Sequence, residues 1–402
     1  MKVAIIGGGA AGFFAAISAK EHHPEAQVTI FEKSTKLLSK VKVSGGGRCN
    51  VTHACFDIHE LIKFYPRGDR FLKKAFPKFN TNDTVKWFEE RGVELKTEQD
   101  NRMFPVSDSS QSIIDCLLKE TERLGIKIKL QSAIKALHVN EKDIELDFGT
   151  GNGLFVDKLI VASGGSPKLE GFNWLKELGH SIETPVPSLF TFNMPSESIK
   201  ELMGAVAADA KVRIQGTKLM ANGPLLITHW GMSGPAILKL SAFGARLLAE
   251  QNYDFKIQVN WINANSEEEF RPTFLSMLEE NRKMKIGNIK IEGIPKRLWS
   301  FFLDKLEINP DLVCLDLSKK KINRIINILL NDEYSVKGKT IFKEEFVTCG
   351  GVSLGEINPY NMQSRVVPHL YFSGEVMDID GVTGGFNFQN AWTTGFIAGG
   401  LQ

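Results

Sequence analysis

The apolar residues of this chain fall largely into short continuous runs that are followed by glycine-rich turns. Residues 2–6 and 28–31 each form such a run, which is typical of a strand buried on both faces of a parallel sheet. The segment between them, 11–21, has the composition of a helix. Residues 159–162 and 370–372 repeat the strand pattern far along the chain. This pattern predicts an α/β fold with a Rossmann-type domain that is built from both chain ends.

The middle of the chain shows a different pattern, in which alternating apolar and polar positions are separated by glycine turns. Residues 211–215, 225–228 and 255–261 fit strands of a small inserted β-barrel-like domain. From Ser266, the serine of a capping-box motif, helical patterns continue to about Asn331. The predicted parts are a cofactor-binding domain at 1–190 and 345–402, an inserted β-rich domain at 191–265 and 335–344, and a helical lid at 266–334.

A glycine fingerprint directly follows the first predicted strand. Gly7, Gly9 and Gly12 have the spacing G-x-G-x-x-G, and Glu32 ends the next predicted strand twenty residues after Gly12. In such a motif the first glycine makes a tight turn, the second lets a pyrophosphate approach the backbone, and the third lets helix and strand pack closely. The acid takes the ribose hydroxyls. The glycines follow a predicted strand and precede a predicted helix, and the acid has the expected spacing, so we predict dinucleotide binding. The alternative is a glycine turn of another α/β domain.

The segment 44–50 reads SGGGRCN and places three consecutive glycines before a cation, a thiol and an amide. Each glycine loses much conformational freedom on folding, so three together need a reason. Glycines allow main-chain N–H groups to face a phosphate or a flavin edge without obstruction by Cβ atoms. An extended FAD needs a second backbone segment of this kind, and a nicotinamide dinucleotide does not. The alternative is a flexible surface loop, against which the β-like VKVS at 41–44 argues.

Later turns complete the predicted site. Ser163 and Gly164 follow one apolar run, and Gly374 and Glu375 follow another. Gly385 ends a glycine pair in front of a helix-like segment. A helix N-terminus presents free N–H groups and a positive dipole end, which would stabilise the negative charge of a reduced flavin ring.

These motifs together resemble the YhiN/BaiN-type family of bacterial flavoproteins, which are described as NAD(P)/FAD-dependent oxidoreductases and include aminoacetone oxidase-like enzymes. The resemblance covers nearly the whole chain. It rests on GGGAAG at 7–12, SGGGRCNVTH at 44–53, FPVSDSSQSIIDCL at 104–117, VASGG at 161–165, LLITHWGMSGPAILKLS at 225–241, TCGGVSLGEINPYNMQS at 348–364 and LYFSGEVMDIDGVTGGFNFQNAWTTGFIAG at 370–399. The flavin domain is similar, more distantly, to that of fumarate reductase and succinate dehydrogenase.

The resemblance implies which residues surround the cofactor. Gly46, Gly47 and Asn50 would lie near the flavin, and Glu32 would hold the adenosine ribose. Many relatives carry a basic residue where Ser39 stands, so Lys40 would have to make any phosphate contact there. The full predicted cofactor-binding set is Gly7, Gly9, Ala10, Ala11, Gly12, Glu32, Lys33, Lys40, Gly45, Gly46, Gly47, Arg48, Cys49, Asn50, Ser163, Gly164, Gly374, Glu375, Gly385, Phe386, Asn387 and Gln389.

The sequence contains no second strand–GxGxxG–helix motif that could bind NAD(P)H. The stretch GTGNG at 149–153 stands between two strand-like segments, so we interpret it as a hairpin turn. No CxxC pair is present either. We therefore expect that NAD(P)H visits the flavin transiently as a co-substrate, or that oxygen reoxidises the flavin instead.

Candidate catalytic groups are few. Histidine is a common proton donor or acceptor in enzymes, so His229, in THWG, could transfer a proton; the alternative is a structural histidine. Arg48 could hold an anionic substrate or a flavin carbonyl, and the alternative is a salt bridge. Cys49 has no resolving cysteine nearby. Together with His53 and Cys55 it matches no zinc spacing, so no metal site is expected.

Composition narrows the remaining classes of function. The chain has 402 residues and a net charge of +2, and no apolar run is long enough to span a membrane. Five cysteines without a pairing pattern suggest reduced thiols and a cytoplasmic location. We predict an FAD-dependent oxidoreductase that transfers hydride between a small organic substrate and flavin N5; no feature indicates an oligomeric state.

Two alternatives remain open. One is a tRNA-modifying flavoprotein, because residues 281–324 hold eleven Lys or Arg against five Asp or Glu. A solvated helix surface explains this charge as well, so nucleic acid is not the favoured partner. The other alternative is an FAD-binding protein without catalysis.

Overall fold

The computed structural model describes residues 1–149, 151, 153–340 and 347–402. Within this part of the chain two compact units are present, one made of Met1–Ser188 with 347–402 and the other of residues 189–340. Two residues of the predicted turn at 149–153 and the predicted boundary at 344 lie outside the described residues. The predicted division into three parts stays a prediction.

The strands are β1 (Lys2–Ile6), β2 (Gln27–Phe31), β3 (Thr52–His53), β4 (Leu95–Thr97), β5 (Arg102–Pro105), β6 (Lys127–Lys129), β7 (Ala136–Val139), β8 (Ile144–Asp147), β9 (Leu154–Val156), β10 (Lys158–Val161), β11 (Ile182–Ser188), β12 (Thr191–Asn193), β13 (Val206–Ile214), β14 (Met220–Ile227), β15 (Gly231–Ser233), β16 (Asp254–Asn260), β17 (Asp332–Lys337), β18 (Lys339–Thr340), β19 (Val347–Val352) and β20 (Leu370–Phe372).

The helices are α1 (Ala10–His22), α2 (Ser39–Gly47), α3 (Ile58–Leu61), α4 (Asp69–Ala75), α5 (Thr81–Glu89), α6 (Ser110–Arg123), α7 (Asn173–Glu177), α8 (Pro235–Phe243), α9 (Ala245–Glu250), α10 (Glu267–Glu280), α11 (Lys296–Lys305), α12 (Lys319–Asn331) and α13 (Phe386–Gly399). No helix among the described residues is both long and apolar enough to cross a membrane.

A parallel sheet with the strand order β20-β10-β1-β2-β6 is the centre of the first unit. Its strands match the apolar runs at both chain ends, which confirms the predicted α/β, Rossmann-type fold. Because all of these strands run in the same direction, their carboxyl ends meet at one edge of the sheet. The hairpin of β8 and β9 flanks the turn at 149–153, as expected from the sequence.

The first and last helices of the chain pack directly against each other. A Cβ atom at Gly395 would lie 2.8 Å from the Ala11 carbonyl oxygen, so the helix backbones approach closely at this glycine. Ser18 Oγ donates a hydrogen bond of 2.6 Å to the carbonyl of Phe396. The small residues of the C-terminal segment therefore serve to dock α13 on α1.

The second unit contains an antiparallel sheet with the order β17-β16-β13-β14-β15-β12-β18. Its two edge strands, β17 and β18, follow each other in the chain and are separated only by Gly338, which has φ +90°. A sheet whose edges are consecutive strands closes on itself, in keeping with the barrel-like domain predicted from the alternating segments.

Helices α10, α11 and α12 share the hydrophobic core of this barrel-like sheet. Trp261, at the end of β16, is fully buried and lies 5.3 Å from the ring of Phe302 on α11. Its main-chain N–H donates to the carbonyl of Leu329 on α12. The predicted helical segment thus exists, and it packs on the sheet of its own unit.

We predict that Gly399→Ala destabilises the first unit. A Cβ at this position would lie 2.6 Å from the Ala19 nitrogen and 2.7 Å from the Ala15 oxygen, and backbone atoms cannot move away easily. Overpacking of this kind costs about 1–3 kcal/mol in the free energy of unfolding, which urea titration measures. The control is Gly355→Ala, where a Cβ meets no atom within 4 Å, and a change within about 0.5 kcal/mol is expected. Equal stability of both variants would contradict the close helix contact.

Candidate functional site

The turn between β1 and α1 shows a separate role for each glycine of the fingerprint. Gly7 has φ +115°, and a Cβ there would lie 2.3 Å from the Ala162 carbonyl oxygen. A Cβ at Gly12 would lie only 1.9 Å from the Gly7 oxygen, so α1 needs this glycine to pack on the strand end. At Gly9 no described atom lies within 4 Å of a Cβ position. The backbone of Gly9, at the start of α1, is therefore open to a ligand.

Glu32 is fixed at the carboxyl end of β2. Its Oε2 accepts a hydrogen bond of 2.8 Å from the Gly8 N–H, and its Oε1 accepts one of 2.8 Å from the Ser34 N–H. Leu38 N–H donates to the carbonyl of Gly8 and so closes the loop back onto the glycine turn. This carboxylate stands at the position where a ribose-binding acid is expected, whereas Lys33 is exposed.

The three glycines of SGGGRCN all adopt left-handed backbone conformations, which residues with a Cβ rarely adopt. Their φ angles are +58° at Gly45, +69° at Gly46 and +86° at Gly47. A Cβ at Gly45 would lie 2.8 Å from the ring of Phe104, whereas no described atom lies within 4 Å of a Cβ at the other two positions. Gly46 and Gly47 thus expose bare backbone, which is what a planar ligand lying along the chain requires.

The β-like reading of VKVS at 41–44 is wrong. Val41, Lys42 and Val43 lie in the regular turns of α2, and Ser44, with ψ 149°, is the first residue that departs from helical geometry. The two valines resemble an alternating strand. The left-handed Leu38 before them and the left-handed glycines after them leave room for a short helix only.

Asn50 links this glycine segment to the C-terminal helix. The side-chain amide of Asn50 is oriented with its oxygen toward the Gly385 N–H and its nitrogen toward the Thr52 carbonyl. In this orientation Asn50 accepts a hydrogen bond of 2.9 Å from Gly385 and donates one of 2.9 Å to Thr52. Gly385 has φ +91°, and a Cβ there would lie 2.6 Å from the Thr52 oxygen. The helix starts at Phe386, directly after the glycine pair, and the N–H of its N-cap residue, Gly385, is used by Asn50.

Two predicted cofactor contacts, Asn387 and Gln389, use their amides inside the protein. Asn387 Oδ1 accepts from the Gly381 N–H and its Nδ2 donates to the Gly381 carbonyl, both at 2.8 Å. Gln389 is fully buried, and its Oε1 accepts hydrogen bonds from the hydroxyls of Thr52 and Thr84. Both side chains hold the segments around the site, and their direct contact with a cofactor stays a prediction.

The turns after β10 and β20 lie beside the fingerprint. Ser163 is exposed, and Gly164 has φ +76° with no described atom within 4 Å of a Cβ position. Gly374 has φ +74°, and a Cβ there would lie 2.7 Å from the Ala11 methyl group. The neighbouring Ala10 is half-buried at the start of α1. The turns at both chain ends therefore meet at the same edge of the sheet.

Glu375 is held between two segments of the first unit. Its Oε2 forms an ion pair of 2.7 Å with Lys40, and its Oε1 accepts a hydrogen bond of 2.9 Å from the Thr348 N–H. Any phosphate contact of Lys40 would have to share its ammonium group with this carboxylate. The buried Thr348 Oγ1 has no hydrogen-bond partner among the described residues.

An FAD molecule fits this arrangement of residues. The backbone is open to a ligand at Gly9, within the fingerprint, and at Gly164, beside it. It is also open at Gly46 and Gly47, beside the start of α13. Glu32 lies where a ribose-binding acid is expected, and Thr348 Oγ1 is a buried polar atom without a hydrogen-bond partner among the described residues. The segments predicted from distant parts of the sequence are brought together in one unit.

The two candidate catalytic side chains lie in different units. Arg48 forms an ion pair of 2.6 Å with Glu98, and its guanidinium lies 4.0 Å from the centre of the Phe104 ring. The hydrogen bond with Glu98 is the main reason why the pKa of Arg48 is raised. His229 is exposed in the turn between β14 and β15 of the second unit, where its ring contacts Trp230.

Cys49 is placed as a structural residue. It is fully buried with φ +62°, and its main-chain N–H donates to the Ser44 carbonyl. Burial raises the pKa of its thiol to about 12, so the reactive thiolate is scarce at neutral pH. No cluster of metal-binding side chains is found within the described residues.

Two features of the site were missed from the sequence. His53 stacks on the Phe386 ring at 4.7 Å, and Phe64 stacks on the same ring at 4.3 Å. Arg67 makes a bidentate contact with the buried carboxylate of Asp380, through an Nε–Oδ1 bond of 2.6 Å and a second bond from Nη2 to Oδ2. No local pattern signals these contacts, since their partners are more than three hundred residues apart.

We predict that Gly46→Ala lowers FAD occupancy. The substitution puts a Cβ into the open space along the backbone and strains a residue at φ +69°. The matched control is Gly92→Ala, because Gly92 has φ +79° and an equally open Cβ position but lies outside the site. Both variants should lose roughly 1–2 kcal/mol of stability, and Gly46→Ala alone should lose bound flavin, measured as the ratio of flavin to protein absorbance. Equal flavin content would mean that Gly46 does not face the cofactor.

Comparisons with known proteins identify the family of this chain. The family model described as "HI0933-like protein Rossmann domain" matches residues 1–401. A 3-dehydro-bile acid delta(4,6)-reductase of Clostridium scindens is 27% identical, over 99% of this chain and 98% of that protein. A ribosomal RNA dihydrouridine synthase of Escherichia coli is 30% identical, over 97% of this chain and 95% of that protein.

A solved structure supports the fold. The 3-ketosteroid delta1-dehydrogenase of Sterolibacterium denitrificans superimposes with a TM-score of 0.53 at 10% identity, over 99% of this chain and 98% of that one. At this identity the likeness concerns the fold alone. The family match over nearly the whole chain confirms the resemblance drawn from the motifs. The chain belongs to the HI0933-like family and is an FAD-dependent oxidoreductase.

Proposed function

We propose that this protein reduces a carbon–carbon double bond conjugated to a carbonyl group, with electrons that NAD(P)H delivers to the FAD. The observation that carries the proposal is the open backbone of Gly46 and Gly47 beside the start of α13, with Asn50 joining the two segments. A helix N-terminus next to the ring favours the negative charge of a reduced flavin, which is the state that donates hydride.

The names of two relatives support the direction of electron flow. One is called a delta(4,6)-reductase of a 3-dehydro-bile acid, and the other a dihydrouridine synthase of ribosomal RNA. A steroid enone and a uracil ring differ in size and charge, but both contain a double bond conjugated to a carbonyl. For this chain we infer the shared chemistry: hydride reaches the carbon β to the carbonyl, and a proton reaches the α carbon.

The residues of the first unit would bind and orient the cofactor. When bound, FAD supplies hydride from its N5 atom. Glu32 would hold the adenosine ribose, and the backbone at Gly9 would receive the pyrophosphate at the N-terminus of α1. Glu375 and Lys40 would fix the turn after β20 through their ion pair. For the proton we propose His229, because its imidazole is exposed and an imidazole is a common general acid.

NAD(P)H is proposed as a transient visitor to the flavin. The fingerprint at Gly7, Gly9 and Gly12 would hold the FAD, and the strands on either side of GTGNG, β8 and β9, pair with each other and leave no helix after this segment. The overall reaction balances, since the nicotinamide gives up one hydride, the substrate gains that hydride, and one proton comes from the protein or from water. Oxygen as the acceptor of electrons from an amine is the competing proposal.

The proposal is tested with the purified holoprotein under anaerobic conditions. NADPH and NADH are added in separate cuvettes, and we expect one of them to bleach the flavin. A 3-oxo-Δ4 steroid or a uridine-rich RNA added afterwards should restore the yellow colour, and the saturated ketone should not. Deuterium from the labelled nicotinamide should appear at the β carbon. Reoxidation by air alone, after bleaching by an amine, would identify an oxidase instead.

His229→Gln tests the proposed proton donor. Loss of a positioned general acid slows a proton transfer by about 100-fold or more, so reoxidation by the enone should slow by this factor. Bleaching by NAD(P)H needs no such proton and should stay at the wild-type rate. His59→Gln is the control, since His59 is an exposed histidine on α3. An unchanged reoxidation rate in His229→Gln would leave this histidine with a structural role.

A further inference from the structure

A row of polar and basic side chains follows one face of α12. Lys319, Asn323, Asn327 and Asn331 are spaced by four residues, which places them on one side of the helix, and all are exposed. Lys320 and Arg324 lie beside this row at the same spacing. The row is about 18 Å long, given a rise of about 1.5 Å per residue. The opposite face, with Ile325 and Leu329 among others, is buried in the core of the second unit.

This face forms one wall of a groove in the second unit. The groove has a volume of about 1050 Å³, and its other walls come from the end of α11 and from β16 and β17. Gln258, Lys305 and Glu333 are among the residues of these walls. Its apolar lining residues, Leu306 and Ile328, are themselves buried, so the exposed lining consists of amides and charged groups.

The acids of the groove already have partners, whereas three cations do not. Asp332 is buried, and its Oδ1 forms an ion pair of 2.6 Å with Lys305. Glu333 Oε1 accepts a hydrogen bond of 2.6 Å from Gln215. Within the part of the chain that the structure describes, Lys319, Lys320 and Arg324 have no ion-pair partner. A net positive charge therefore faces the groove.

These lysines do not help α12 to fold. Lys319 and Lys320 stand in its first turn, which holds no acidic residue, and cations at a helix N-terminus oppose the helix dipole. The N-terminus itself is capped by Ser318, whose Oγ accepts from the Lys321 N–H. The positive charge is thus carried by side chains that point at solvent, and an external anion would relieve their repulsion.

We propose that this groove binds a strand of RNA. Lysine and arginine would pair with phosphates. Asn323 Oδ1 accepts a hydrogen bond from Arg271, and Asn327 Oδ1 accepts one from Asn331 Nδ2. The remaining amide groups of the row are donors and acceptors of the kind that contact bases and 2′-hydroxyls. The absence of exposed apolar lining residues argues against a lipid surface, where aromatic and aliphatic side chains would be expected. The inference rests on the proposed function in one respect: if the protein reduces a double bond conjugated to a carbonyl group, RNA binding identifies an RNA base as the molecule that carries this double bond.

Binding is measured by fluorescence anisotropy with a labelled uridine-rich RNA of 20 nucleotides and the FAD-loaded full chain. The test variant is Lys319→Gln/Lys320→Gln/Arg324→Gln. The matched control is Lys73→Gln/Lys74→Gln/Lys78→Gln, which removes the same charge from exposed positions of the first unit. We expect the groove variant to bind at least tenfold more weakly and the control to stay within twofold of the wild type. Flavin content and circular dichroism report whether each variant is folded.

The salt dependence gives a second readout. Loss of three phosphate contacts should lower the slope of log K against log salt by about 2 for a single strand, because each contact contributes roughly 0.7. If RNA affinity falls equally in the groove variant and in the control variant, net charge alone explains the loss, and the assignment of the groove is overturned. Displacement of the RNA by poly-glutamate or by anionic vesicles at equal charge concentration would also overturn it. The assay involves no turnover, so a failure here is distinguishable from a failure of enone reduction.

Discussion

The close backbone contact between the first and last helices is the constraint on which the cofactor site depends. The turns that carry Gly9 and Gly374 are separated by nearly the whole chain, and they meet because α13 packs on α1 through Gly395 and Gly399. A side chain at either glycine would push the helix away from the carbonyl and amide groups of α1. With that separation, the turn at Gly374 would no longer lie against Ala11.

The site itself is made chiefly of backbone. Its glycines either allow a close contact within the protein, as at Gly7, Gly12 and Gly385, or leave the main chain open, as at Gly9 and Gly46. The polar side chains around them, such as Asn50 and Glu32, bind main-chain N–H groups and so fix the shape of the turns. This division explains why cofactor binding can be inferred for the family while the substrate differs between relatives, since a backbone cradle holds FAD without reference to what reacts with it.

Sequence reasoning succeeded where the determinants are local. The strand at 2–6 and the glycine turn that follows it are contiguous, so their pattern alone indicates both elements, and the role of Glu32 as a ribose-binding acid stays a prediction. It failed for VKVS at 41–44, because two valines at alternate positions suit a strand and a short helix equally well, and only the backbone on either side decides.

Hydrogen-bond and ion-pair partners that are distant in the chain could not be predicted from the sequence, for a related reason. Nothing near Lys40 points to Glu375, and nothing near Asn50 points to Gly385. Arg48 illustrates the same limitation: its residue type left both an anionic ligand and a salt bridge open, and the fold places Glu98 within 2.6 Å of it. A charged side chain has many potential partners in a sequence, and the three-dimensional fold selects among them.

The buried pair of Arg67 and Asp380 shows how the fold holds the segment that leads to α13. Burial raises the pKa of Asp380, and Arg67, together with a hydrogen bond from Ser188, opposes that shift. Taking both charges out of water costs free energy that their attraction only partly returns, so the pair is not primarily a source of stability. Its bidentate geometry restricts the direction of the chain at Asp380, five residues before Gly385. We therefore interpret the pair as the contact that orients the turn at the start of α13. An apolar contact of the same size would fix this orientation less precisely, because it has no preferred direction.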